Sequence, residues 1–484
     1  MADDLKNKTV KGVSWSFVEQ VLTRGANFII GIILARLLSP TDYGLVGMLS
    51  VFICVSQIFI DGGLTTALIR EKDASDADYS TAYFVNFTLS VVFYFILYFS
   101  APIIANFYEQ PLLKPLLRVV SLTLVISALS SVHNTLLSKR VDFKSKTIIS
   151  IATSLSSGAA GIFCAAKGYG VWALVTQSIA GASIATILTI TFARWLPKHF
   201  FSKDSFKRLF GFSSKILAAS LIHAIYDNAY PLVIGKKFSA KDVGVFTRGG
   251  QFPQVANSTL VSTFNRVAFP VLSQVQDDDT RLLNAYEKYI QVFCFLAFPI
   301  LMGICGCAKP LTLLLLTDKW IECVPFMQIY CFSFLPNGLI QINLNLLYVK
   351  GRSDLALRME IIKKIIMFSV LLITMFFGLK AISYGLVLNA LIDLYFSSFY
   401  TKKILDYGLW QQIKAIIPYF LISLIILAES LLFSRLIDSH IISILVSLLV
   451  SAISYWALSK FLKLGAYQEI SGIISPKIKR YFKK

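Results

Sequence analysis

Apolar residues in this chain run together rather than alternate with polar ones. Stretches of about twenty recur from end to end. At 1.5 Å per residue, a helix of that length crosses a hydrocarbon core about 30 Å thick. Polar segments divide the pattern into fourteen expected spans. These lie at roughly 14–37, 42–64, 82–107, 115–137, 147–167, 170–193, 213–235, 242–268, 285–308, 325–349, 357–379, 381–401, 412–433 and 439–460. A membrane β-barrel is excluded, because its strands would alternate with a period of two. The eighth span is unusually polar, with Gln251, Gln254, Asn257 and Asn265, and Pro253 is expected to bend it.

The pattern also returns at an offset of 200 residues. Gln20, Thr23 and Asn27 are matched by Ser220, His223 and Asp227. Ser39, Asp42 and Gly44 are matched by Ser239, Asp242 and Gly244. In both copies an apolar helix with a polar stripe ends in a Ser-x-x-Asp-x-Gly turn, and a second apolar helix follows. A period this long is wrong for a solenoid and suits the duplicated bundles of membrane transporters. The expected fold is therefore an all-α polytopic membrane protein of about 14 transmembrane helices. Two pseudo-symmetric six-helix bundles are expected at residues 1–200 and 201–405. Two additional helices and a basic cytoplasmic tail follow at 406–484.

Composition agrees with that reading. The chain is 56% hydrophobic and only 15% charged, against about 25% charged in soluble proteins. The net charge of +19 raises the question of nucleic acid, but its distribution gives another answer. Lys139, Arg140, Lys144 and Lys146 fall in one loop, and Arg194, Lys198, Lys203, Lys207 and Arg208 in another. Lys350, Arg352, Arg358 and the tail residues Lys477, Lys479, Arg480, Lys483 and Lys484 continue the series. Roughly 28 Lys and Arg lie on the side of the termini and about 10 on the other, which is the cytoplasmic bias of a membrane protein. Both termini are expected in the cytoplasm, and no nucleic acid is expected as a partner. The N-terminal residues MADDLKNKTVKG have no signal-peptide apolar core, so the first span is expected to act as the targeting signal. The seven cysteines form no CxxC spacing and are read as helix-packing residues, with no metal site. Residues 194–211, basic and rich in Phe, are expected to form a surface helix at the cytoplasmic interface. The cluster Asp277, Asp278 and Asp279 is read as a solvated loop rather than a metal site.

Five ordered motifs carry a family resemblance. They are LARLLSPTDYGLVGML (34–49), DGGLTTALIREKD (61–73), LLSKRVDFK (136–144), GYGVWALV (168–175) and VGVFTRGGQFPQ (243–254). Together they closely resemble bacterial polysaccharide-unit flippases of the Wzx type, nearest to the branch for colanic-acid-like exopolysaccharides. That group belongs to the multidrug, oligosaccharidyl-lipid and polysaccharide exporter superfamily. The resemblance implies two six-helix bundles facing each other across a central cavity. It implies a substrate built of an oligosaccharide on undecaprenyl pyrophosphate, carried to the outer leaflet of the bacterial inner membrane by alternating access. It also implies a coupling cation, sodium or proton, in some members. A polysaccharide polymerase and chain-length machinery are the further expected partners.

Charged groups at mid-membrane cost about 2.5–3.5 kcal/mol even on insertion scales, so those that cannot snorkel face water or a partner. Arg24 lies about ten residues into the first span, roughly 15 Å along its axis. Gln20, Asn27 and Gly31 share its side. Asp227 stands at a similar depth in the seventh span, with Ser220, His223 and Tyr230 on its face. Gln57 and Asp61 continue a polar face in the second span. Arg248 lies about six residues from the outer start of the eighth, with Gln251 one turn on. A guanidinium holds its charge at any pH and forks toward phosphate oxygens. Gln20, Arg24, Asn27, Arg248 and Gln251 are therefore expected to receive substrate at its pyrophosphate or an acidic sugar. The competing reading pairs each Arg with a carboxylate that fixes helix packing. Asp227 and His223 are the candidates for the coupling cation or proton. Among Asn337, Gln341, Asn343 and Asn345, some are expected along a sugar path and others in bonds between helices. Lys363 and Lys364 are expected to snorkel to the cytoplasmic interface.

The alternatives are a cation-coupled multidrug exporter, a peptidoglycan-precursor flippase, and a membrane-bound sugar polymerase or glycosyltransferase. Deep arginine argues against a cationic substrate. An enzyme of the last kind needs a catalytic carboxylate or a large outer loop, and no expected outer loop exceeds about 20 residues. The chain is therefore read as a transporter rather than an enzyme. There is no phosphate-binding P-loop sequence, so ATP is not its direct energy source.

Overall fold

A computed structural model describes residues 2–71, 73–198 and 200–472. The side chains of 2–18, Val21, Lys215, Ala219 and Asp227 lie outside that description. Among the described residues every regular element is a helix. The chain divides into two compact units, Met1–Gly244 and Val245–Lys484.

The first unit holds α1 (Ala2–Leu37), α2 (Pro40–Asp61), α3 (Leu64–Arg70), α4 (Asp76–Phe107), α5 (Leu113–Val120), α6 (Leu122–Lys139), α7 (Phe143–Ala166), α8 (Trp172–Ala193) and α9 (Lys203–Lys237). The boundary falls inside α10 (Ala240–Gln274). The second unit continues with α11 (Asp279–Gly306), α12 (Ala308–Leu315), α13 (Cys323–Phe334), α14 (Asn337–Val349), α15 (Ser353–Thr374), α16 (Leu379–Leu405), α17 (Leu409–Leu436) and α18 (His440–Phe461).

Among the described residues, ten helical runs are long and apolar enough to cross a membrane. The number is eleven if the bent pair Lys203–Ser214 and Ile216–Tyr226 is one span. The first, eighth and eleventh expected spans are α1, α10 and α15, which stand outside the ten. The seventh, in α9, enters only as the bent pair. These helices carry Glu19 and Arg24, His223, Arg248 and Lys363, and such side chains lower their hydropathy.

The internal repeat is realised at its two turns. Ser39 and Asp42 form a capping box at the start of α2. The Ser39 backbone N–H and hydroxyl donate to Asp42 Oδ2 at 2.8 and 2.7 Å. Ser239 and Asp242 repeat it at the start of α10, at 3.1 and 2.6 Å. Each box satisfies backbone donors that the first helical turn leaves open. The two helix starts then meet at glycine. A Cβ added to Gly44 would lie 1.6 Å from the Ala240 carbonyl oxygen, and one added to Gly244 would lie 1.9 Å from that of Pro40. Only hydrogen fits at either crossing.

The expected surface helix at 194–211 takes another form. Residues 194–202 are non-helical, and helix begins at Lys203, capped by Ser202, and runs on to Lys237. No proline interrupts it before Pro231, so the surface segment and the following span form one helix, bent by 42° between Ser214 and Ile216. The non-helical part is pinned to the start of α4. Lys198 pairs with Asp76 at 2.9 Å, and Trp195 packs edge-on against Tyr79, Tyr83 and His133. The acidic cluster has structural partners. Asp278 caps α11 by accepting from the Thr280 and Arg281 backbones, and Asp279 pairs with Lys350 at 2.6 Å.

The second unit packs around Tyr286, Phe293, Leu301, Ile342 and Leu346. A fully buried polar network crosses this core. The Tyr286 hydroxyl donates to Asn343 Oδ1. Asn343 Nδ2 donates to Ser397 Oγ at 3.1 Å and to Gln412 Oε1 at 3.2 Å. Asn345 donates to Asn265 at 3.0 Å. Asn343 and Asn345 thus bond between helices, one of the two roles expected of that group. Lys363 departs from expectation. It does not snorkel but is 3% exposed, with its ammonium 2.6 Å from Asp393 and 2.7 Å from Glu360. The packing of α15 against α16 leaves it no route to the surface, so carboxylates meet its charge.

Candidate functional site

Five helices and a short sixth line an open polar cavity of about 700 Å³ within the first unit. Sequence periodicity explains how each contributes. Glu19, Thr23 and Asn27 of α1 stand at steps of four, and Gln57 and Asp61 of α2 do the same. Ser127, Ser130, Ser131 and Asn134 of α6 follow at steps of three, one and three. On α7 the face runs from Lys146 through Ser150, Thr153 and Ser154 to Ser157. Such spacings put side chains on one side of a helix. Thr65 of α3 and Thr189 of α8 complete the polar lining, and only Ile149 and Ala185 among the lining residues are apolar.

The wall is a web of hydroxyls. Ser150 donates to Glu19 Oε1 at 2.7 Å, and Ser154 donates to Asn27 Oδ1. Thr65 donates to Asp61, while Asn86 donates to Ser131 at 3.0 Å. Lys146 Nζ donates to Ser138 at 2.9 Å. The hydroxyls of Thr23 and Thr153 are buried in the lining with no hydrogen-bond partner among the described residues. A buried hydroxyl without a partner carries a desolvation cost of about 1–3 kcal/mol. Both oxygens are closed to water in this arrangement, so a rotation of the threonine side chain is needed to bring either hydroxyl to a ligand in the cavity. Two carboxylates and one ammonium make the lining mixed in charge, while its many neutral donors and acceptors suit polyhydroxyl groups.

Of the residues picked out in the sequence, Thr23, Asn27, Gln57 and Asp61 line this cavity. Gln20 and Arg24 each follow a lining residue by one position, a rotation of about 100° round α1, and do not line it. Arg24 is exposed. Arg248 belongs to the second unit, where it is buried. It donates to Gln251, and its guanidinium stands 5.8 Å from the Trp320 ring. His223 is exposed on α9, and the side chain of Asp227 lies outside the described residues. The sequence reading did not single out Glu19, Ser150, Thr153 or Ser154. The signal was available as a Ser/Thr stripe in α7 and a second in α6. Isolated hydroxyls in an apolar span also arise from simple back-bonding to the preceding turn, so each by itself says little.

An all-helical fold with ten or more membrane-length helices around a polar cavity defines a multi-pass membrane protein. The chain belongs to the polysaccharide biosynthesis protein family, whose pattern matches residues 33–325. It is 24% identical over 426 residues to the lipopolysaccharide biosynthesis protein WzxC of Escherichia coli (strain K12), covering 86% of each chain. It is 24% identical over 334 residues to the succinoglycan biosynthesis transport protein ExoT of Rhizobium meliloti (strain 1021), covering 69% of this chain and 68% of that one. Among solved structures, the fold resembles the lipid II flippase MurJ in an inward closed conformation. The TM-score is 0.76 and the identity 14%, over 95% of this chain and 99% of that one. An inward-facing MATE family transporter of the MOP superfamily aligns with a TM-score of 0.56 and 14% identity, over 84% of this chain and 94% of that one.

Proposed function

We propose that this protein is a flippase. It moves undecaprenyl-pyrophosphate-linked oligosaccharide units from the cytoplasmic to the outer leaflet by alternating access, for surface polysaccharide synthesis. The observation that carries the proposal is the 700 Å³ cavity walled by hydroxyls and amides inside a bundle of membrane-length helices. A sugar crossing hydrocarbon must keep its hydroxyls hydrogen-bonded, since each unsatisfied polar group costs several kcal/mol there. Paired Ser, Thr and Asn side chains exchange such bonds readily. The polyprenyl chain needs no protein cavity, because the bilayer is its solvent. Membership of a polysaccharide biosynthesis family and similarity to named polysaccharide transport proteins support the same reading. A multidrug exporter of the superfamily fits less well, because an apolar cationic drug gains little from a wall of hydroxyls.

The full proposal has fourteen spans in a 6+6+2 arrangement, with both termini in the cytoplasm of the inner membrane. α1, α9, α10 and α15 are the four polar spans. Arg24 meets the pyrophosphate, assisted by Gln20, and Arg248 with Gln251 forms a second basic position. Asp227, with His223 one turn before it, binds the coupling cation or exchanges a proton. Polymerase and chain-length machinery act downstream.

The test is complementation in cells lacking the gene. Leu at Ser154 or Thr153 fills the cavity without adding charge. Export of surface polysaccharide should fall, and carrier-linked units should accumulate inside, at unchanged membrane abundance. Normal export by both well-expressed variants would remove this cavity from the transport path. Asp227→Asn should weaken gradient-driven transport while the protein stays in the membrane, and normal activity with normal ion dependence removes it from the mechanism.

A further inference from the structure

The second unit has its own charged pocket at the opposite end of α11 from its start. It has a volume of about 420 Å³ and forms where α11 and α17 end and α12, α13 and α18 begin. Its polar lining is Lys309, Gln328, Ser434, Arg435, Asp438 and His440. Among the described residues, the side chains of Lys309, Arg435, Asp438 and His440 make no hydrogen bond or ion pair. Lys309 and Arg435 outnumber the one carboxylate, and the imidazole adds a further donor. The first turn of α18, which reaches the pocket at His440, has no side-chain cap, so it leaves backbone N–H groups open there, whereas Pro310 and Pro325 remove such donors from α12 and α13.

The surroundings identify the ligand's chemistry. α11, α17 and α18 are three of the membrane-length runs, so their ends lie at headgroup depth. Leu432, Leu436, Ile441 and Ile442, next to the pocket in the chain, are all at least half exposed. Unpaired cations beside an aliphatic surface at a span end match a phosphate with acyl chains attached. We propose that this pocket binds the phosphate of an anionic phospholipid, with the acyl chains lying along α17 and α18. The inference rests on the reading that the chain spans the bilayer. With cytoplasmic termini, the site serves the outer leaflet.

The experiment uses the full-length protein, purified with its lipid, and counts retained phosphatidylglycerol by native mass spectrometry. Lys309→Gln with Arg435→Gln should lower retention about tenfold to thirtyfold, since each basic residue near a headgroup contributes roughly a factor of five. Lys114→Gln with Lys380→Gln, at other span ends, should change it less than about twofold. Phosphatidylcholine should not replace phosphatidylglycerol, and millimolar inorganic phosphate should not displace it. Equal retention by the two double variants overturns the proposal. So does retention of phosphatidylcholine to the same degree, while displacement by inorganic phosphate assigns the pocket to the free ion. If the Lys309/Arg435 variant does not fold, a headgroup photo-crosslinking phosphatidylglycerol is used on the unaltered protein. It should label the peptides holding Lys309 or Arg435, and labelling elsewhere only refutes the site. These readouts do not involve transport, so their failure leaves the flippase reading standing, and the converse also holds.

Discussion

Replacing Gly44 by Ala adds one methyl group where α2 and α10 begin. The new Cβ would sit 1.6 Å from the Ala240 carbonyl oxygen and 2.5 Å from its carbon, where ordinary contact starts at 3.4 Å. Both opposing atoms are backbone, so no side chain can swing aside. The helix starts must part by about 2 Å, and overpacking of this kind costs about 1–3 kcal/mol. In the alternating-access cycle proposed above, this contact is expected to open and close. The added methyl therefore destabilises the state in which the turns touch relative to any state in which they are apart. A cost of about 1–3 kcal/mol shifts that equilibrium by a factor of about 5 to 150. The assay is disulfide cross-linking in membranes between cysteines placed at Thr41 and Lys241. Gly44→Ala should sharply lower the cross-linked fraction at unchanged abundance, and Gly244→Ala should do the same. Gly47→Ala serves as a milder control, since its Cβ would meet only a Val243 methyl at 3.0 Å. Undiminished cross-linking in Gly44→Ala would refute the argument that this contact is closed by backbone and opens during the cycle.

Lys363→Met leaves Asp393 buried without its cation and should destabilise the protein by about 3–5 kcal/mol, seen as a lower melting temperature in detergent. The double change Lys363→Met with Asp393→Leu should recover most of that loss, and no recovery would contradict a paired-charge account. Asn343→Leu takes the acceptor from the Tyr286 hydroxyl in a dry core, at about 1–3 kcal/mol for that group, while Ser397 keeps its bond to the Leu394 carbonyl and Gln412 its bond from Ser398. Thermal unfolding measures that effect, and a wild-type midpoint would mean that water enters the core. Arg24→Ala should abolish export at normal abundance while Arg24→Lys keeps part of it. Wild-type export by a well-expressed Arg24→Ala protein refutes the substrate role.

By itself the sequence determined the class of protein. Apolar runs of spanning length leave a chain no option in lipid but helix, because every backbone donor must be satisfied within its own segment. Local chemistry was equally decisive at the repeat. Ser39 with Asp42 and Ser239 with Asp242 form the same capping box because that bond needs only four consecutive residues. Whatever depends on helix rotation or on a neighbour was decided by tertiary structure. α1 has two adjacent polar stripes, Glu19–Thr23–Asn27 and Gln20–Arg24, and nothing in the helix alone says which one faces α7. The serines of α7 turn one stripe into the cavity wall. Lys363 reads as a snorkelling residue until α16 brings Asp393 to within 2.6 Å of its ammonium. Gln251 stands one turn from Arg248 in the sequence, but only packing brings the Trp320 ring to 5.8 Å from its guanidinium. A span's apolar count fixes that it crosses the bilayer. Where its few polar groups point is settled only by which helix lies against them, since in lipid a polar side chain gains most from a partner or a wet cavity.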